Sequence, residues 1–275
     1  MTEVMLNNLE TELQLRGFSE NTIKTYKNHV KQFIKTYKQE LEHLGEDDIK
    51  SYFAEQIRNK VAPRTIIVKQ AALKFFYREV IKKDIVKLKA PKIPKTFFEV
   101  LTKDEIKKII ASTGSRKTRL ITKFLYSTGL RVSELVNLKI KDLDLNEKAG
   151  WVRMGKGAKD RFFPLSDIIA VELKQYIQHL PLNQDYLFMG RNGKLSVRSV
   201  QKFVKNSAKR AGITKQVTPH KLRHSYATHL MDSGIDVVII QELLGHSNLN
   251  TTQIYTHVSK EHLKRVKNPL DTLEL

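Results

Sequence analysis

One short interruption constrains the fold of this chain more than any other feature: Lys89-Ala90-Pro91-Lys92-Ile93-Pro94-Lys95. Neither proline has an amide N–H to donate, and each drives the residue before it out of the α region. Between two long stretches of helical periodicity, such a segment reads as an extended, basic linker. It divides the 275 residues into an N-terminal unit (1–88), a linker (89–97) and a second unit (98–275). The last stretch of the second unit, from about 260 to 275, reads as a tail. No internal repeat or low-complexity segment is present.

Before the linker, apolar residues recur at helical spacing. Val4, Leu6, Leu9, Leu13 and Leu15 mark a helix over 3–16, stopped by Gly17. Ser19 can N-cap a second helix, with Ile23, Tyr26, Val30, Phe33, Ile34 and Tyr37 on one face and Lys24, Lys27, Lys31, Lys35 and Lys38 on the other. Asp47 or Asp48 opens a third helix, and Pro63 suits the first turn of a fourth over 63–82. Beyond the linker, Thr102 and Glu105 form a capping box ahead of Ile106, Ile109 and Ile110. A helix through Leu120 and Phe124 runs to Gly129, and a short helix follows Arg131. Two strands, 151–154 and 161–165, flank the turn G-K-G-A-K-D. Helices over 167–179 and 197–211 precede a final helical block broken at Gly234 and Gly245. The fold class expected is mainly α with a small antiparallel β-sheet: an N-terminal helical bundle followed by an α+β domain.

Lys and Arg number 49 against 29 Asp and Glu, a formal net charge of +20. That exceeds what solubility needs and points to a polyanion, with nucleic acid ahead of an anionic membrane surface. The excess lies on both sides of residue 90, as expected if both units touch the same partner. Candidate phosphate-contacting residues are Lys24, Lys27, Lys31, Arg64, Lys69, Lys92, Lys95 and Lys159. The competing reading of each is a solvated surface lysine or arginine. There is no cysteine, which excludes disulfides, cysteine-ligated zinc and a thiol nucleophile. No run has the length of a transmembrane helix, and the start M-T-E-V-M-L-N-N-L-E lacks the basic and apolar regions of a signal peptide. The expected location is the cytoplasm.

The chemistry concentrates between Thr218 and His257. Pro219 at a helix start puts His220 in the first turn, with Arg223 three residues on and on the same face. A helix N-terminus, a histidine and a guanidinium facing one point make an anion site. Gly245 fits a helix C-cap just before His246, and Thr251 and Thr252 precede Tyr255. A phenol, with a pKa near about 10, attacks phosphorus only if the phosphate's charge is masked and its own proton has an acceptor. Each piece also has an ordinary explanation. His220, His224 and His229 share a helix face as metal ligands would, but the Glu of H-E-x-x-H is missing, and no metal is expected. Tyr255 alone is a packing aromatic, Arg131 a partner for Glu134, and G-K-G a hairpin turn.

Together and in order, the motifs T-G-L-R-V-S-E-L (128–135), G-K-G-A-K-D-R-F-F-P-L (155–165), H-K-L-R-H-S-Y-A-T-H-L (220–230), L-L-G-H-S (243–247) and T-T-Q-I-Y-T-H (251–257) resemble those of the tyrosine recombinase, or phage integrase, family. The match is greatest to its Xer-type members, including the archaeal single-recombinase form. Any one motif is weak; five in family order are specific. The resemblance implies a SAM-like core-DNA-binding bundle at 1–88 and a tyrosine-recombinase catalytic domain at 98–275. It implies that Arg131 and Arg223 bind the scissile phosphate, Lys156 protonates the leaving 5′-hydroxyl, and His220 serves as general acid/base. His246 would hydrogen-bond the phosphate, and Tyr255 would be the nucleophile that forms a 3′-phosphotyrosine. Glu134 would support the site from behind. Lys159 lies near enough to compete with Lys156, and the family pattern favours Lys156.

The resemblance further implies metal- and ATP-independent strand exchange with no cofactor, by a tetramer on two double-stranded DNA sites. Resolution of chromosome dimers at a dif-like site is the role expected. The tail would dock into a neighbouring protomer; its plainer alternative is folding onto its own domain. An integrase or transposase of a mobile element is the rival function, although no arm-binding domain fits before residue 1. A noncatalytic DNA-binding protein is the rival from another class.

Overall fold

A computed structural model of the chain describes residues 2–37, 41–84, 91–92, 99–153, 160–191, 193–245 and 266–273. The chain divides into two compact units, Met1–Phe97 and Phe98–Leu275.

In the N-terminal unit, α1 (Thr2–Leu15), α2 (Glu20–Thr36), α3 (Glu46–Arg58) and α4 (Pro63–Phe76) form a bundle, with a 3₁₀ turn at Leu41–His43. The punctuation is that of the sequence. Gly17 takes a φ of +69° after α1, the Ser19 hydroxyl accepts from the Thr22 amide, and Pro63 occupies the first turn of α4. The expected fourth helix over 63–82 changes pitch instead of running straight through: Tyr77–Ile81 forms a π-helical turn. Leu9, Leu13, Val30, Phe33 and Phe76 have no exposed surface. Phe33 meets Tyr52 edge-on at 5.0 Å between centroids, an arrangement that the ring quadrupoles favour. Tyr77 donates to the Leu41 carbonyl and so satisfies the one polar atom its burial would strand.

The C-terminal unit is built around α6 (Arg116–Thr128), with α5 (Lys103–Ala111), α7 (Val132–Asn137), α8 (Asp167–Gln178), α9 (Val197–Arg210), α10 (Pro219–Asp232) and α11 (Val237–Leu244) about it. Every residue of α6 from Leu120 to Thr128 is buried, so this helix is the spine on which α8 and α10 pack. The Thr102–Glu105 capping box is present in both directions. Three antiparallel strands, β1 (Leu143–Asp144), β2 (Ala149–Val152) and β3 (Arg161–Pro164), form a meander in that order. Trp151 pairs with Phe162 and Gly150 with Phe163. Gly150 has a packing reason to be glycine, because a Cβ there would lie 2.2 Å from the Phe163 ring. That ring meets Phe124 of α6 edge-on and ties the sheet to the spine. The sequence anticipates β2 and β3 within a few residues; β1 and a second small hairpin, β4 (Met189–Gly190) with β5 (Gly193–Lys194), are too short to leave a periodic signal.

Residues 266–273, within the expected tail, lie on their own C-terminal unit. Leu270 and Leu273 join its core. Asn268 donates to the Ser127 carbonyl at 2.6 Å. Asp271 accepts from the amides of Asp167 and Ile168 at the start of α8. A carboxylate at a helix N-terminus is favourable, and two leucines buried on the same segment make the seat a packed one.

Candidate active site

Three chain segments far apart in sequence bring their cations together at the C-terminus of α11. Gly129 ends α6 in the left-handed region at φ +59°. A Cβ at this position would lie 2.6 Å from Leu244 and 2.7 Å from Tyr226. The tight turn so permitted delivers Arg131 to the N-cap position of α7, where its amide donates to Glu134 at 2.7 Å. From the other side, the Thr218 hydroxyl caps α10 and Pro219 begins it. His220 and Arg223 then occupy the first turn and a half.

Arg223 is 4% exposed. One of its nitrogens donates to the Gly129 carbonyl at 2.6 Å and another to the Leu244 carbonyl at 2.7 Å. Arg131 donates to the Gly245 carbonyl at 3.0 Å and to Glu134 at 2.7 Å. A third guanidinium, that of Arg161, donates to the Leu243 carbonyl at 2.7 Å and to Glu134 at 2.5 Å. Three successive carbonyls at the end of α11 thus accept from three different arginines. The last carbonyls of a helix have no partners within it and carry the negative end of its dipole, so they attract and satisfy cations. Gly245 closes the helix at φ +64°, and a Cβ there would lie 2.6 Å from the Arg161 Cδ.

The electrostatics are those of a partly dehydrated cationic pocket with one buried anion. Burial by itself would raise the Glu134 pKa. The charge of Arg161, with the hydrogen bonds and charge of Arg131, outweighs it and holds the carboxyl below the usual carboxylate range. Burial, then the charges of Arg131 and Arg161, push the Arg223 guanidinium down to about 10, which leaves it charged at neutral pH. Partial burial and the positive groups around it (His224, then Arg223 and Arg131) lower the His220 pKa. His220 is therefore neutral at pH 7, as a proton acceptor must be. Its ring stacks on that of His224, with centroids 5.9 Å apart. Of the three histidines on that helix, His229 is buried and hydrogen-bonded to the Tyr126 hydroxyl at 2.8 Å.

Of the residues expected in the site, Arg131, Glu134, His220 and Arg223 come together as described. Lys156, His246 and Tyr255, with Lys95 and Lys159, lie outside the described residues. Arg161 was not singled out in the sequence, though it stands inside the G-K-G-A-K-D-R-F-F-P-L motif. The only signal that could have found it is that a buried Glu134 needs more cation than one neighbour supplies.

On the N-terminal unit, Lys24, Lys31 and Arg64 are exposed, as is Lys92 in the linker. Lys27 is half-buried and pairs with Glu10. Lys69 must be struck from the basic surface: it is 7% exposed, donates to the Gln56 side-chain oxygen at 2.5 Å and lies over the Tyr52 ring. Its position on α4 faces the core, and desolvation lowers its pKa.

Comparison with known proteins identifies the family. Residues 99–262 match the phage integrase family, and residues 5–87 match the phage integrase N-terminal SAM-like domain. The tyrosine recombinase XerA of Pyrococcus horikoshii is 41% identical over 94% of this chain and 91% of its own. A crystal structure of XerA recombinase shares 31% identity over 96% of each chain, with a TM-score of 0.53. XerH site-specific recombinase, in a pre-cleavage complex with its difH substrate, shares 26% identity over 94% of this chain and 83% of that one, with a TM-score of 0.70. With its five motifs in order, its arginines gathered at one helix end and relatives matched along nearly its whole length, this chain belongs to the phage integrase family, as a tyrosine recombinase of the Xer type.

Proposed function

We propose that this chain cleaves and rejoins double-stranded DNA at a dif-like site through a 3′-phosphotyrosine on Tyr255, as a tetramer on two sites, and so resolves chromosome dimers. The observation that carries the reading is the convergence of Arg131 and Arg223 on the end of α11, immediately before His246 in sequence, with neutral His220 close enough to feel both charges. Two guanidiniums neutralise the non-bridging oxygens of the scissile phosphate, with His246 hydrogen-bonded to them. The Tyr255 hydroxyl then attacks phosphorus. Its proton passes to His220, the bond from phosphorus to the 5′-oxygen breaks, and Lys156 protonates that oxygen. The new phosphotyrosine ester keeps the energy of the broken linkage. Attack by a partner strand's 5′-hydroxyl reverses each step and seals the strand without ATP or a metal ion. Lys24, Lys31, Arg64, Lys92, Lys95 and Lys159 would follow the phosphate backbone, and the seat now filled by residues 266–273 would take a neighbour's tail in the assembled tetramer.

The test is a nicked suicide DNA carrying the candidate site, incubated with the protein in EDTA. A covalent adduct that Tyr255→Phe abolishes is the expected result. Cleaved ends without an adduct would point to a nuclease instead, and salt-sensitive binding alone to a DNA-binding module. A two-site recombination assay then distinguishes recombination from relaxation of a single duplex.

A further inference from the structure

The reaction as described gives Arg161 no part, yet its side chain is placed with care. It is 11% exposed, and its two terminal nitrogens reach two different parts of the site: Glu134 on α7 and the Leu243 carbonyl on α11. Arg131 uses the same carboxylate and, through the Gly245 carbonyl, the same helix end. The two arginines are thus bridged twice, by Glu134 on one side and by the last turn of α11 on the other.

We propose that Arg161 is a positioning residue for strand cleavage: by spanning Glu134 and the Leu243 carbonyl, it fixes the Arg131 guanidinium and the turn leading to His246 in one frame. This rests on the recombinase reading above. The physical case has three parts. Arg131 is 30% exposed, and an i,i+3 ion pair with that much water around it does little to hold a long side chain still; a second, drier guanidinium on the same carboxylate does. A planar fork can span two acceptors, whereas an ammonium offers a single nitrogen. Burial opposes the Glu134 charge, and the charge of Arg161 is the largest single influence that keeps it ionised, beside the hydrogen bonds and charge of Arg131. The charged groups bearing on that carboxylate are Arg131 from its own helix, Arg161 from β3 and, more remotely, Arg223 from α10. Gly245 belongs to the same device, since any Cβ there would push into Arg161.

The experiment uses the full chain as Arg161→Gln and Arg161→Lys, with adduct formation on the suicide DNA followed in a single turnover. DNA affinity and thermal unfolding are measured on the same samples. Affinity should stay within a few-fold of wild type, while the cleavage rate at saturating DNA falls on the order of ten- to a hundredfold in both variants. Arg161→Gln should lose further rate on the acid side, where Glu134 takes up a proton, and Arg161→Lys should restore that acid limb without restoring the maximum. A folded Arg161→Gln protein that cleaves at the wild-type rate overturns the proposal. If the glutamine variant does not fold, Arg161→Lys decides: full-rate cleavage overturns it equally. Failure of the underlying recombinase reading is separate, since the wild-type chain would then form no adduct that Tyr255→Phe abolishes.

Discussion

In the N-terminal unit the buried side chains are aliphatic and aromatic, and a single charged one, Lys69, joins them among the described residues. In the C-terminal unit Arg223, Lys123 and Asp142 are buried, and Glu134 and Arg161 are nearly so. Buried charge is costly unless each ion is matched by hydrogen bonds or an opposite charge. The catalytic unit meets that cost with helix-end carbonyls and Glu134 for its arginines, Glu172 for Lys123 and the Lys139 amide for Asp142. The other unit avoids it by leaving Lys24, Lys31 and Arg64 in water. The difference separates two ways of handling phosphate. A solvated lysine releases counterions on meeting DNA and adds affinity; a dry, fixed guanidinium stabilises charge that develops during reaction.

The comparison breaks most visibly at Arg223. Arg223→Ala should lower single-turnover cleavage by roughly a hundred- to a thousandfold with DNA affinity nearly unchanged; equal losses in both would make Arg223 merely another contact. Next in size is a pair of glycine substitutions. Gly129→Ala combines a left-handed backbone with a Cβ pressed into Leu244 and Tyr226, and should cost about 2–5 kcal/mol in denaturant unfolding. Gly17→Ala has the same backbone problem in open space and should cost nearer 1 kcal/mol, roughly the left-handed penalty alone.

A smaller effect separates two lysines of the N-terminal unit. Lys24→Ala should reduce the slope of log affinity against log salt by roughly 0.9, as for one lost phosphate contact. Lys69→Met should leave that slope alone, because its amine already faces Gln56 and Tyr52. The smallest expected effect concerns pH. His220 has its charged form disfavoured, so cleavage should hold down to below the ordinary histidine range near about 6.5 and fall only as the ring is protonated at lower pH. His224→Leu removes one of the neighbours that disfavour that proton, so the acid limb of the rate profile should move upward. A limb that stays put would remove His224 from the account.

Much of this molecule is written locally. The helices follow from apolar spacing, from caps at Ser19 and Thr102 and from first-turn prolines at Pro63 and Pro219, because a helix is stabilised by neighbours a few residues away. The turns at Gly129 and Gly245 follow from backbone freedom that glycine alone supplies cheaply. The motif order identifies the family, and Arg131, Glu134, His220 and Arg223 could be picked out from it. What tertiary structure alone decided is which partner each group meets. Arg161 finds Leu243, Arg223 finds Gly129, and Arg131 finds Gly245 across 82, 94 and 114 residues of chain, separations that no periodicity encodes. Lys69 looks like any other lysine on a helix until the facing helix covers it. Asp271 looks like a tail residue until it caps α8. Local pattern sets which residues are present and in what order, while the junction of α7, β3, α10 and α11 decides which charges lose their water, because only packing of distant segments can exclude it.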